Sequence, residues 1–223
     1  MRPVSVLLAL VLIPTQLIAL TYLDYAHILA KEGIINERED DTRYRVDDLV
    51  WRQEVIGMAV NINDDIDLER YACTWVFNDI TTATPNRWIC RAAEAAADHG
   101  IITRWRDYPH TRIGVRPEQN ITRAEALAVI WDALGIARAD DSIAGQYSYS
   151  SDTVYWQKIL LAAAYERGII ESTSTFGPNE NATRGEIFEI IAKLKWLVPI
   201  DNSTLDPELE GLFDELLEML QSL

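Results

Sequence analysis

Apolar and polar positions alternate along this chain with the period of a helix. Three alanine-rich stretches, AHILAKE before Gly33, RAAEAAADH before Gly100 and KILLAAAYER before Gly168, gather small and apolar residues on one side and charged residues on the other. Each stretch stops at a glycine followed by two isoleucines. A glycine just past the last periodic residue ends a helix because it adopts the left-handed conformation without the Cβ penalty. The Gly-Ile-Ile triplets stand 67 and 68 residues apart, and Trp88 and Trp156 each lie 12 residues before their glycine, so the pattern predicts an internal repeat.

A second apolar run follows each triplet: VIGMAV, ALAVIWDALGI and IFEIIAKL. These open with Trp51-Arg52-Gln53-Glu54, Thr122-Arg123-Ala124-Glu125 and Thr183-Arg184-Gly185-Glu186. Thr-x-x-Glu is a capping box, in which the threonine oxygen takes the third helical amide and the glutamate returns to the cap amide. Helices are therefore expected from Thr122 and Thr183, whereas Trp51 has no side-chain oxygen with which to cap. Arg116-Pro117 and Gly177-Pro178 supply the turns between the two helices of a unit.

The expected architecture is all-α, with three helix-loop-helix units at 20–62, 77–136 and 147–197 joined by an acidic connector, 63–76. No such unit buries its apolar face alone, so the three must pack together. Ahead of them, residues 1–19 carry the apolar run Val4 to Ile13 after Arg2, the layout of a secretory signal. Cleavage near Ala19 and retention as a signal anchor both fit, and contact with a membrane is expected only if the segment is retained. Residues 198–223 read as an acidic tail whose Asp206 to Leu220 stretch forms an amphipathic helix with Leu209, Leu212, Phe213, Leu216, Leu217 and Leu220 on one side. This tail is a candidate surface for a protein partner.

The net charge of −15 disfavours a sequence-independent grip on nucleic acid. The excess is uneven: residues 37–79 and the tail each carry −7, while residues 80–131 carry +2. Export would admit a disulfide, and Cys73 and Cys90, 17 residues apart, are either bridged or a pair of buried thiols. No Cys/His cluster has zinc spacing, so neither metal nor cofactor is expected. The run NINDDID at 61–67 is rich in oxygen ligands but lacks the glycine and terminal glutamate of a calcium loop, and reads as a solvated connector. His27, His99 and His110 fit no hydrolase or phosphate-loop pattern, and the chain is read as no enzyme.

The succession Phe77-Asn78-Asp79-Ile80, Trp88, the alanine stretch, Gly100-Ile101-Ile102, Arg116-Pro117 and Ile121-Thr122-Arg123-Ala124-Glu125 resembles an S-layer homology repeat. The third unit repeats the series through Trp156, Gly168-Ile169-Ile170, Phe176-Gly177-Pro178 and Thr183-Arg184-Gly185-Glu186, with Tyr149 and Asp152 standing for the opening Phe-x-Asp. The first unit diverges, with Thr21 in place of the tryptophan and Trp51 in place of the capping threonine. The resemblance implies a pseudo-threefold module that holds exported proteins to the cell surface by binding cell-wall polysaccharide, often through a pyruvylated sugar, in grooves between units.

By position, the resemblance nominates the arginines Arg52, Arg123 and Arg184 and the glycines Gly33, Gly100 and Gly168 as ligand contacts. An arginine at the first turn of a helix, beside free backbone amides, would suit a carboxylate. It could equally pair with a neighbouring acid. Trp88 and Trp156 could stack on sugar or anchor the core, and Asp79 and Asp152 are expected to serve turns. Two functions remain open: polysaccharide binding, salt-sensitive and centred on the second unit, and a structural or adaptor role in which the grooves no longer bind sugar.

Overall fold

A computed structural model describes residues 20–81, 88–102 and 114–197 of the chain; the expected signal segment and tail helix fall outside these. Among the described residues there are six α-helices and no strand longer than an isolated bridge. The helices are α1 (Tyr22–Lys31), α2 (Arg52–Ile62), α3 (Trp88–Asp98), α4 (Arg123–Ala133), α5 (Tyr155–Glu166) and α6 (Arg184–Ala192), the last running into a π-helical turn, Lys193–Leu197. The fold is all-α. None of these helices is long and apolar enough to cross a membrane.

Local chemistry accounts for where the helices begin and end. Thr122 and Thr183 cap α4 and α6 through the amides of Glu125 and Glu186, whose carboxylates return to the threonine amides at 3.1 and 2.9 Å. Thr21 does the same for α1 with Asp24. At Trp51 half of the device survives, because Glu54 still accepts from the Trp51 amide at 2.9 Å. Gly33, Gly100 and Gly168 take φ values of 72°, 81° and 68° just beyond α1, α3 and α5, as a left-handed helix stop requires.

The three second helices are joined at their starts by a closed ring of backbone hydrogen bonds. The Val50 amide donates to Ala182, the Ala182 amide to Ile121, and the Ile121 amide to Val50, at 3.1, 2.9 and 3.3 Å. All three residues are fully buried. Around the ring, antiparallel bridges link Leu49 with Thr183, Trp51 with Asn120 and Thr122 with Asn181. A left-handed residue precedes each of these segments: Arg45, Arg116 and Gly177, with φ of 53°, 54° and 65°.

Packing follows the same rotation. The alanine-rich helices do not settle on their own unit's second helix; α3 lies on α2, α5 on α4, and α1 closes the circle on α6. The side chains at the contacts are small, with Ala92, Ala93, Ala95 and Ala96 of α3 and Ala162 to Ala164 of α5 buried, which lets the backbones approach closely. Where the approach is tightest a glycine faces an aromatic ring: a Cβ on Gly57 would stand 3.0 Å from Trp88, and one on Gly185 would stand 2.5 Å from Tyr22. Trp131, Leu127 and Ile130 of α4 and Phe188 of α6 are fully buried in the shared core, with the Arg167 guanidinium over the Trp131 ring.

The connector is pinned rather than loose. Cys73 and Cys90 form a disulfide, with Cα atoms 5.5 Å apart, between it and the first turn of α3. One helical turn on, the buried Glu94 carboxylate accepts from the Thr74 amide, the Thr74 hydroxyl and the Val76 amide at 2.8 to 3.2 Å. Asp79 accepts the amides of Val115 and Arg116 at 2.9 and 2.6 Å, and Asp152 receives the Asn179 side chain at 2.9 Å, so both aspartates hold turns.

Candidate functional site

The motif arginines occupy equivalent places in the ring. Each begins a second helix and reaches the capping glutamate of the next unit: Arg52 to Glu125 and Arg123 to Glu186, with Arg184 returning to Glu54. The capping glutamates therefore serve twice, once on their own helix start and once on a neighbour's guanidinium. The cycle closes through ion pairs as it does through the backbone. Carboxylate pairing, one of the two roles open to these arginines, is the one this geometry displays.

Anion binding by free helix-start amides meets a direct correction. The first two amides of every second helix are already bonded to a neighbouring turn: Arg52 and Gln53 to the carbonyls of Gln119 and Pro117, Arg123 and Ala124 to Glu180 and Pro178, Arg184 and Gly185 to Asp48 and Val46. On α4 and α6 the third amide goes to the capping threonine. Ring closure thus uses the donors that an isolated helix would leave open.

The arginines differ in how far solvent reaches them. Their side chains are 5% exposed at Arg52, 14% at Arg184 and 23% at Arg123. Burial pushes the Arg52 guanidinium below its usual range, with Glu125 opposing. Hydrogen bonding to Glu186 instead raises Arg123. Arg184 also donates to the Tyr44 carbonyl at 3.0 Å and lies over the Phe188 ring.

Arg123 borders a groove of about 410 Å³. One wall is the segment after α5, from Ile169 to Ser172 with Thr175 and Phe176; the other is α6, through Glu186, Glu189, Ile190 and Lys193, and Tyr22 of α1 stands at its edge. The equivalent space beside Arg52, lined by Ile56, Phe77, Ile102, Val115 and Val129, has shrunk to about 10 Å³. Its lining is apolar apart from Arg52. The open groove mixes polar and apolar lining residues, the combination that receives a hydroxylated ring.

Its charges are largely engaged. Arg123 donates through Nε and Nη2 to Glu186 at 2.9 and 2.6 Å, and through Nη1 to the Phe176 carbonyl at 3.2 Å and to Glu180. Lys193 pairs with Glu189 at 2.7 Å and reaches the Ile169 carbonyl. Burial, then Glu189 and Glu186, raise the Tyr22 phenol above its ordinary value, so it remains a hydroxyl donor at neutral pH.

Among the residues nominated from sequence, Arg123 lines this groove. Arg52 is buried, and Arg184 is engaged on the next face of the ring. Gly168 leads into the groove through Ile169 and Ile170, while Gly33 and Gly168 have open space where a Cβ would stand. Trp88 packs on Gly57 with 42% of its surface exposed, and Trp156 is partly buried against the core. Tyr22 and Lys193 carried no signal in the sequence, while Phe176 stood in the Phe176-Gly177-Pro178 motif without being nominated as a contact.

Residues 153–188 match the S-layer homology domain. The match runs through α5, the groove-lining segment and the first turn of α6. Cell surface glycoprotein 1 of Acetivibrio thermocellus is 37% identical to this chain over 82 residues, which make up 34% of the chain and 3% of that relative. The chain therefore spans a small fraction of the relative's length. S-layer homology domains generally hold proteins at the cell surface, and the match places this chain at the surface or envelope. It indicates no enzyme family.

Proposed function

We propose that this chain is a non-catalytic anchoring module that binds cell-wall polysaccharide in the groove between Arg123, Tyr22 and α6. The observation that carries the reading is the coincidence of the S-layer homology match with the walls of the open groove. The equivalent ring contacts at Val50, Ile121 and Ala182 support reading all three helix pairs as repeats of one domain, with the first divergent. An acidic sugar, such as a pyruvylated one, is the preferred ligand, because Arg123, Lys193 and the Tyr22 hydroxyl are the donors at hand.

Co-sedimentation of the chain with purified cell-wall polymer tests this. The wild type is expected to bind, and Lys193→Gln, whose side chain lies at the groove edge, to bind more weakly while remaining folded. A second reading, an envelope component without sugar binding, is favoured by the closure of the Arg52 groove and by the glutamate held by every ring arginine. Failure of the wild type to bind any wall polymer would select it.

A further inference from the structure

We propose that Glu180 is an internal stand-in for the ligand's anionic group, occupying Arg123 until a carboxylate-bearing ligand displaces it. This deepens the polysaccharide-binding reading and rests on it. The two acids on Arg123 are not alike: Glu186 is 19% exposed and built into the ring and the α6 cap, whereas Glu180 is 67% exposed and bonds to Arg123 Nη1 alone. Losing Glu180 leaves Nε, Nη2 and the ring intact. Nη1 is thus the one corner of the guanidinium from which a carboxylate can be exchanged with no structural loss.

The turn is shaped for this contact. Glu180 closes a turn by donating its amide to the Gly177 carbonyl at 3.0 Å, and a Cβ on Gly177 would sit 2.7 Å from the Glu180 carboxyl carbon and 2.9 Å from Arg123 Nη1. A glycine here leaves the glutamate the room to fold back onto the arginine. Elsewhere in the ring, Arg45 and Arg116 hold the Gly177 place with the same left-handed φ, and Asp48 and Gln119 hold that of Glu180. Asp48 is turned to Arg45 at 2.5 Å and Gln119 is neutral. The self-occupied arginine therefore belongs to the one of these two grooves that is open.

The consequence is selectivity. A neutral sugar gains nothing by displacing Glu180, while a carboxylate replaces one charge-assisted bond with another and releases the glutamate to water. The test uses the wild type, Glu180→Gln and, as a control for bulk charge, Glu171→Gln, which removes an acid lining the same groove. Each is titrated with a methyl glycoside bearing a pyruvyl ketal, with its unsubstituted parent, and with purified wall polysaccharide.

Glu180→Gln is expected to bind the ketal about threefold more tightly, the size of competition an exposed ion pair can mount, with Glu171→Gln changing less. Unchanged or weaker ketal binding by Glu180→Gln overturns the inference, as does an equal gain in Glu171→Gln, an equal gain for the unsubstituted glycoside, or no ketal binding by either wild type or Glu180→Gln. If the ketal result holds but no protein binds wall polysaccharide, the anchoring reading fails and the role of Glu180 stands.

Discussion

Arg52 and Glu125 are 73 residues apart in sequence and meet at 2.9 Å, the guanidinium nearly sealed from solvent and the carboxylate one-third exposed. The same contact recurs twice around the ring, there with the arginine more open to solvent. Removing one partner of a buried pair costs more than removing one at the surface, because the survivor is left charged in a poorly solvated place. Glu125→Ala should therefore destabilise the fold by about 3 kcal/mol or more, well beyond the ~1 kcal/mol expected for loss of a cap alone in Thr122→Ala. Arginine-to-alanine changes leave the glutamate behind, so Arg123→Ala, which strands Glu186 at 19% exposure, should cost more than Arg52→Ala or Arg184→Ala, whose Glu125 and Glu54 are about one-third exposed. Chemical denaturation of the five variants checks both statements.

Trp51 starts a helix without capping it and leaves 45% of its surface in water. Its counterparts Thr122 and Thr183 both cap. Trp51→Thr is expected to complete the box with Glu54 and raise stability by about 1 kcal/mol, read as a shift of the denaturation midpoint. No gain would mean that the indole contributes packing equal to the missing hydrogen bond.

The disulfide and Glu94 hold the same stretch of connector from two sides. Opening the Cys73–Cys90 loop of 17 residues, by reduction or by a Cys→Ser pair, should cost about 3 kcal/mol. Glu94 should keep Thr74 and Val76 in place afterwards. Hydrogen exchange then separates the two effects: the amides of Thr74 and Val76 stay protected in the Cys→Ser pair and lose protection in Glu94→Ala.

Asp152 sits on the surface, and hydrogen bonds from Asn179, then from Ser150, hold its carboxyl below the ordinary value of 3.8. Its folded pKa is thus lower than its unfolded one. The stability it contributes is present above the unfolded value and is lost as pH falls through the folded one. Stability should decline on acidification below the ordinary aspartate range. Asn179→Ala should move the Asp152 titration upward, followed by carboxyl NMR, and weaken that decline.

Much of the local structure was legible because its causes are local. Thr122 and Glu125 lie one helical turn apart, and so do Thr183 and Glu186, so the start of each helix is written in four residues. The glycine stops at Gly33, Gly100 and Gly168 need only the residue that tolerates a positive φ. The first unit is less legible: Thr21 stands where the other two units have tryptophan, and its capping partner Asp24 is one methylene shorter than the usual glutamate. Trp88 is identifiable as aromatic from sequence, yet that it lies on Gly57 depends on α3 packing against the preceding unit's helix.

The candidate site divides along the same line. Arg123 is visible as a motif residue, and Trp51 sets Arg52 apart from it, but neither pattern shows which arginine borders open space. What separates them is the neighbour: the segment after α5, together with α6, borders a groove of about 410 Å³ beside Arg123, whereas the space beside Arg52, lined by Phe77, Val115 and Ile102, is about 10 Å³. Segment charge pointed to the second unit through its +2, and that unit supplies the arginine; the third supplies most of the walls, whose acids balance it.

The sequence by itself determined the caps at Thr122 and Thr183 and the glycine stops at Gly33, Gly100 and Gly168, because each rests on side chains and amides within a turn of one another. Only the tertiary structure decided which carboxylate each arginine meets, which carbonyl takes each helix-start amide and where space remains. Those are settled by closure of the ring, which brings together residues 54 to 139 positions apart and so leaves no trace in any local pattern.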